Sequence, residues 1–69
     1  MKPQTKAVAR YLMRHGSITP REAMDELGCW RLGARIYELR TEHGINIRSE
    51  RVWVRTRDGG QTFIARYSV

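Results

Sequence analysis

A chain of 69 residues is expected to form one small domain, and at that size only about 60% of the unfolded surface can be buried, which excludes most multi-step enzymes built around a deep cleft. Hydrophobic residues at 41% and charged ones at 29% are ordinary globular proportions, not the low-apolar, high-charge signature of disorder. Thirteen Lys and Arg against seven Asp and Glu give a net charge of +6; eleven of the thirteen are Arg, the side chain best suited to phosphate, so a polyanionic partner is the first expectation.

Cys29 is the one cysteine, so no internal disulfide can form and stability has to come from packing. Arg10, Arg14 and His15 interrupt the N-terminal apolar run, leaving neither a signal-peptide core nor a membrane span. A cytoplasmic protein is expected.

Residues 3–15 place Val8, Tyr11 and Leu12 at i, i+3 and i+4, followed by Gly16, and predict a first helix. Ser17-Ile18 is a short β-prone segment. Thr19-Pro20-Arg21-Glu22 then combines an N-cap Thr, Pro at N1 and Glu at N3, a capping box that opens a second helix over 20–27. This helix turns Ala23, Met24 and Leu27 inward and ends at Gly28. A third helix is predicted over 30–42, with Leu32, Ile36 and Leu39 as its core stripe. At 100° per residue, Trp30, Arg31, Ala34, Tyr37, Glu38 and Thr41 fall opposite that stripe, and Arg35 and Arg40 lie on its flanks.

Past Gly44 the period changes to two. Ile45 and Ile47 alternate with Asn46 and Arg48, Val52-Trp53-Val54 follows, and Arg57-Asp58-Gly59-Gly60 supplies a turn into 61–69, where Phe63, Ala65, Tyr67 and Val69 share a face. The segment 45–69 reads as a β-hairpin. The parity of Ile45 and Ile47 differs from that of Val52 and Val54, which predicts a bulge or twist near Ser49-Glu50.

Helix, short β segment, capped helix, tight turn, helix and hairpin is an α+β order. The stretches Gly16-Ser17-Ile18-Thr19 through Arg31-Leu32-Gly33-Ala34-Arg35-Ile36-Tyr37-Glu38-Leu39-Arg40, then Gly44-Ile45-Asn46-Ile47 and Ala65-Arg66-Tyr67-Ser68-Val69, resemble the short winged helix-turn-helix DNA-binding proteins of phages and prophages. The resemblance spans nearly the whole chain and implies three helices plus a C-terminal wing. It makes Trp30 to Glu42 the recognition helix and Arg51 to Phe63 the wing, and places the protein in a bacterial host cell, at the nucleoid when DNA-bound. It departs at Gly33, where a helix prefers Ala or Ser by up to about 1 kcal/mol.

The residues themselves fit double-stranded DNA. A helix enters the major groove, and side chains near its N-terminus reach base edges. Arg31 and Arg35 are the expected base readers, with Glu38, Ala34 and Trp30 beside them. The bland alternative for Arg31, Arg35 and Glu38 is a solvated helix face with intrahelical pairs. Lys6, Thr19, Tyr37, Arg40 and Thr41 are expected on the DNA backbone. Arg48, Arg51, Arg55 and Arg57, with Arg66, give residues 45–69 five Arg against two acids, and the first four suit backbone or minor-groove contact; edge-strand protection is the competing explanation. Trp30 either touches DNA or covers the turn, and Trp53 reads as core or wing packing.

No cofactor is expected. Cys29, His15 and His43 lack the paired spacing of a zinc site, and no P-loop or nucleophile elbow is present, so the chain reads as a non-enzyme. The expected role is sequence-specific binding of double-stranded DNA, as a phage-type transcriptional regulator or an excisionase-like architectural factor. The alternative is a protein-interaction module that docks an acidic or host partner through the same basic surface. One module this small buries about 600–1,000 Å² on DNA, which favours a homodimer or cooperative copies on the duplex.

Overall fold

The computed structural model describes all 69 residues. Its elements are α1 (Pro3–His15), β1 (Ser17–Ile18), α2 (Pro20–Leu27), α3 (Leu32–Thr41), β2 (Arg48–Arg55) and β3 (Gln61–Ser68). Local chemistry accounts for most of the boundaries. The Thr19 hydroxyl accepts from the Glu22 amide at 3.2 Å, and the Glu22 carboxylate accepts from the Thr19 amide at 2.9 Å, so two amides otherwise orphaned at the start of α2 are satisfied. Gly28 takes a left-handed φ of 63°, which turns the chain out of α2 and buries Cys29 behind it.

The third helix is shorter than 30–42. It begins at Leu32, with Arg31 in the cap position at φ −119° and no side-chain cap, and Trp30 lies in the turn before it. Neither Trp30 nor Arg31 can cap an amide as Ser, Thr, Asp or Asn does, so nothing local extends the helix backwards.

The sheet has the order β1-β3-β2 and is antiparallel throughout. Its β2–β3 register runs unbroken from Arg48↔Ser68 to Arg55↔Gln61, so the bulge expected near Ser49-Glu50 is not formed. Ile45 and Ile47 precede the strand instead. The Ile45 amide donates to the Leu39 carbonyl at 3.0 Å, and the Ile47 carbonyl accepts from Arg40 Nε at 3.0 Å and Nη2 at 2.7 Å. This segment drops Ile47 into the core, and its alternation reflects that descent rather than strand pairing. At the hairpin tip the Gly59 amide donates to Thr56 and the Thr56 amide to Gly60, with Gly59 at φ 87°, a three-residue loop of the type I plus bulge kind.

Val8, Leu12, Ile18, Ala23, Cys29, Leu32, Ile36, Leu39 and Ile47 form the buried core, rimmed by Tyr11, Leu27, Ile45 and Tyr67. Met24, expected inward, remains exposed, because two turns of α2 present only a narrow stripe to α1. One polar side chain joins the core stripe of α1: Thr5, buried like its neighbours Val8 and Leu12.

Thr5 anchors a polar clamp between α1 and α3. Its hydroxyl donates to Glu38 Oε1 at 2.7 Å, and Lys2 Nζ donates to Glu38 Oε2 at 3.1 Å. Arg35 Nε stands 2.8 Å from the same carboxylate, and its Nη1 donates to Gln4 at 3.3 Å. The side chains of Arg35 and Glu38 are only 17% and 14% exposed. A hydroxyl and two cations around one sheltered carboxylate fix the rotation of α3 about its own axis, because breaking any partner leaves a poorly solvated charge.

Two outcomes follow from this packing. A Cβ built on Gly33 meets only the Tyr67 hydroxyl at 3.9 Å, and the Gly33 backbone is not left-handed, so Gly33→Ala should raise unfolding stability by about 0.4–1 kcal/mol in urea titration. Hydrogen bonds from Thr5 and Lys2, with the charges of Arg35 and Lys2, outweigh desolvation and hold the Glu38 carboxyl below its ordinary value. Its contribution to stability is therefore complete above the unfolded glutamate value of about 4.3 and lost as the pH falls through the lowered native value. Asp58, lowered by hydrogen bonds from Thr56 and the Gly60 amide, acts in the same direction. Comparing Tm against pH, Glu38→Gln should be less stable than the parent at neutral pH, and the gap should narrow in acid.

Candidate nucleic-acid interface

With α3 clamped on one flank to α1, its other flank faces the sheet: Gly33 lies beneath Tyr67, and the Arg40 guanidinium sits 5.9 Å from the Tyr67 ring centre. What remains outward is the stripe Ala34, Tyr37 and Thr41, preceded by Arg31 and Trp30. Trp30 is 83% and Tyr37 67% exposed, so Trp30 does not cover the turn. The Thr41 hydroxyl donates to the Tyr37 carbonyl at 2.8 Å. Ala34 is partly buried and Arg31 is exposed and forms no ion pair.

Arg35 and Glu38 are not on this stripe. The sequence put Glu38 opposite the core and Arg35 within reach of bases, yet both point at α1. The reason is tertiary: a residue on the flank of a helix faces whichever neighbour packs there, and Thr5 offers Glu38 a buried donor. Lys6 is exposed on α1, whereas the Thr19 hydroxyl is occupied by the capping box and Arg40 is held by the Ile47 carbonyl.

Strand alternation sorts the hairpin into two faces. Tyr67 packs on the core and pairs with Ile18 and Ser49, so its face is the helix side. That side continues outward through Arg51↔Ala65, Trp53↔Phe63 and Arg55↔Gln61. The opposite side carries Arg48, Glu50, Val52 and Val54 facing Ser68, Arg66, Ile64 and Thr62. The molecule measures 39 × 21 × 20 Å, and residues 51–63 of the hairpin are exposed or half-buried, none of them in the buried core. Trp53, expected as packing, is 60% exposed there, and Phe63 is 46% exposed.

The seven carboxylates are distributed away from these surfaces. Glu22, Asp25 and Glu26 are on α2, with Asp25 paired to Arg21 at 3.5 Å. Glu38 and Glu42 line the α1 side of α3 with Lys2 and Thr5. Glu50 is paired with Arg66 on the outer hairpin face, and Asp58 is folded into the tip by Thr56 and Gly60. The outward stripe of α3 and the helix side of the hairpin therefore carry Arg31, Arg51 and Arg55 and no acid, with Arg57 at the tip. Such a surface presents positive potential without internal neutralisation.

Elsewhere, an open groove of about 330 Å³ between α1 and α2 is lined by Arg10, Tyr11, His15 and Glu26 among others. Burial, then the neighbouring charges of Glu22 and Glu26, raise the Tyr11 hydroxyl above its ordinary value. Tyr11 thereby stays a neutral donor to Glu22 at 3.4 Å. No three His, Cys, Asp or Glu side chains converge as a metal site, and no helix is long and apolar enough to cross a membrane.

Sequence reasoning missed Lys2, Gln4 and Thr5 as the residues that seat α3, and the pairing of Trp53 with Phe63. Thr5 was detectable as a polar residue in register with Val8 and Leu12, and the aromatic pair by counting back from the turn at Gly59. No curated protein and no solved structure matches the chain. A family model described as winged helix-turn-helix domain matches residues 3–69, in agreement with three helices and a three-stranded sheet whose last two strands form the wing. The chain belongs to the winged helix-turn-helix family, a domain type associated with DNA binding.

Proposed function

We propose that this protein reads double-stranded DNA in a sequence-specific way, with α3 in the major groove and the hairpin wing on the adjoining backbone or minor groove. The supporting observation is the segregation of charge: every acid lies off the face made by the α3 stripe and the helix side of the wing, while Arg31, Arg51 and Arg55 lie on it. Arg31, at the N-terminal end of α3, is the base reader, because a helix in the major groove presents that end to base edges and Arg can pair bidentately with guanine. Trp30, Ala34 and Tyr37 supply apolar contact beside it. Lys6, Arg51, Arg55 and Arg57 anchor phosphates; Arg48 lies on the outer hairpin face and the Thr41 hydroxyl is held by the Tyr37 carbonyl, so neither serves as an anchor in this arrangement. Arg35 and Glu38 act through the clamp, by holding α3 in place.

Resemblance to short phage and prophage winged helices supports a role as a transcriptional regulator or an excisionase-like architectural factor in the bacterial cytoplasm. The small footprint of one module favours several copies bound side by side on the duplex. The competing reading is a host protein with an acidic surface; the solvent-exposed Trp30 and Tyr37 would suit such an interface as well.

Fluorescence anisotropy with a labelled duplex separates these roles. Arg55→Ala should weaken binding to all sequences alike and reduce the slope of log K against log salt by about one. Arg31→Ala should lose about 1–3 kcal/mol of discrimination at one base position of a selected site. Equal losses on every sequence from both variants would overturn the division of labour, and absence of duplex binding at low salt would favour the protein partner.

A further inference from the structure

The wing carries more than cations. Trp53 and Phe63 face each other across β2 and β3 with ring centres 3.7 Å apart, and the Arg51 guanidinium lies 5.4 Å from the Phe63 ring centre. Both rings remain exposed on the helix side of the hairpin, whereas Val52, Val54 and Ile64 on the other side are half-buried. Nothing in the fold covers the aromatic pair, whose rings contact each other across the two strands. Arg51 and Arg55 flank Trp53 in β2 on the same face, Arg57 follows at the tip, and the two wing acids are engaged elsewhere. An aromatic surface bordered by guanidinium groups and free of carboxylates matches a partner that combines flat apolar rings with regularly spaced anions, which describes nucleotides.

We infer that the Trp53–Phe63 pair is a base-stacking element, and that the wing takes up an unstacked base at a distorted DNA step. This rests on the DNA-binding reading above. Aromatic side chains stack on any base, because each base offers a π-face, and apolar side chains inserted between base steps kink the duplex. The cost of freeing a base is least where pairing is already weak, at a mismatch or a flexible pyrimidine–purine step. The wing would thus make the protein favour deformable DNA, in addition to whatever sequence α3 reads.

The test uses the full chain with Trp30→Phe, so that Trp53 is the only indole, and two labelled duplexes that differ by one central T·T mismatch. Trp53 emission should be quenched on the mismatched duplex, and that duplex should bind at least about fivefold more tightly. Trp53→Leu, which keeps apolar bulk and removes the indole face, should bring the affinity ratio close to one in the Trp30-containing protein. Tight binding of both duplexes with Trp53 emission unchanged would overturn the inference and leave the DNA-binding reading standing. A mismatch preference that survives Trp53→Leu would also overturn it. A blue shift of Trp53 with protein concentration alone would assign the pair to contact between copies. Failure of the parent chain, with Trp30 in place, to bind either duplex would remove both this inference and the reading beneath it.

Discussion

The partly buried carboxylate of Glu38 decides which flank of α3 the molecule withholds from its surface. A helix of ten residues packed on a small core has two flanks and one outward stripe. The contacts of Glu38 with Thr5, Lys2 and Arg35 commit one flank to α1, and Arg40 with Gly33 commits the other to the sheet. The surviving stripe is narrow: Ala34, Tyr37 and Thr41, with Trp30 and Arg31 at its head. The buried stripe Leu32, Ile36 and Leu39 turns one side of α3 to the core, and hydrogen bonds and ion pairs, which are directional, hold its flank against α1. The charged network supplies the direction.

Orientation of α3 has an electrostatic consequence. Turning Glu38 and the C-cap residue Glu42 toward α1 removes the acids of α3 and its end from the surface that would approach phosphates. The wing reaches the same end by different means, with Glu50 held by Arg66 across the outer face and Asp58 consumed by the turn. A net charge of +6 states only that a polyanion would be attracted. Its sorting onto one face specifies how the polyanion would be oriented, and Debye screening over about 8 Å at physiological salt means that this local arrangement counts for more than the total.

Much of this was legible in the sequence where the cause is local. The capping box at Thr19 and Glu22, the left-handed glycines that end the helices, and the hairpin turn at Arg57-Asp58-Gly59-Gly60 each act within a few residues, and the resulting order of elements already pointed to a winged helix. The start of α3 was less legible, because Trp30 and Arg31 continue the helical spacing without adopting the helix. Ile45 and Ile47 imitated a strand through a period of two that packing, not pairing, produces. The inward positions of Arg35 and Glu38 depend on which element covers each flank of α3, and spacing within one helix does not contain that information. Trp53, set between Val52 and Val54, reads in the sequence as packing. Alternation shows that it shares a face with Phe63, but only the folded structure shows that both rings stay exposed.

Chemical-shift mapping of the isotopically labelled protein, titrated with a duplex, tests most directly whether the acid-free face is the one that meets DNA. Perturbations should concentrate at Trp30, Arg31, Tyr37 and Thr41 and along residues 51–63, with the acidic α2 positions Asp25 and Glu26 unchanged. Perturbations centred on the α1–α2 groove around Tyr11 and His15, with α3 and the wing silent, would contradict it.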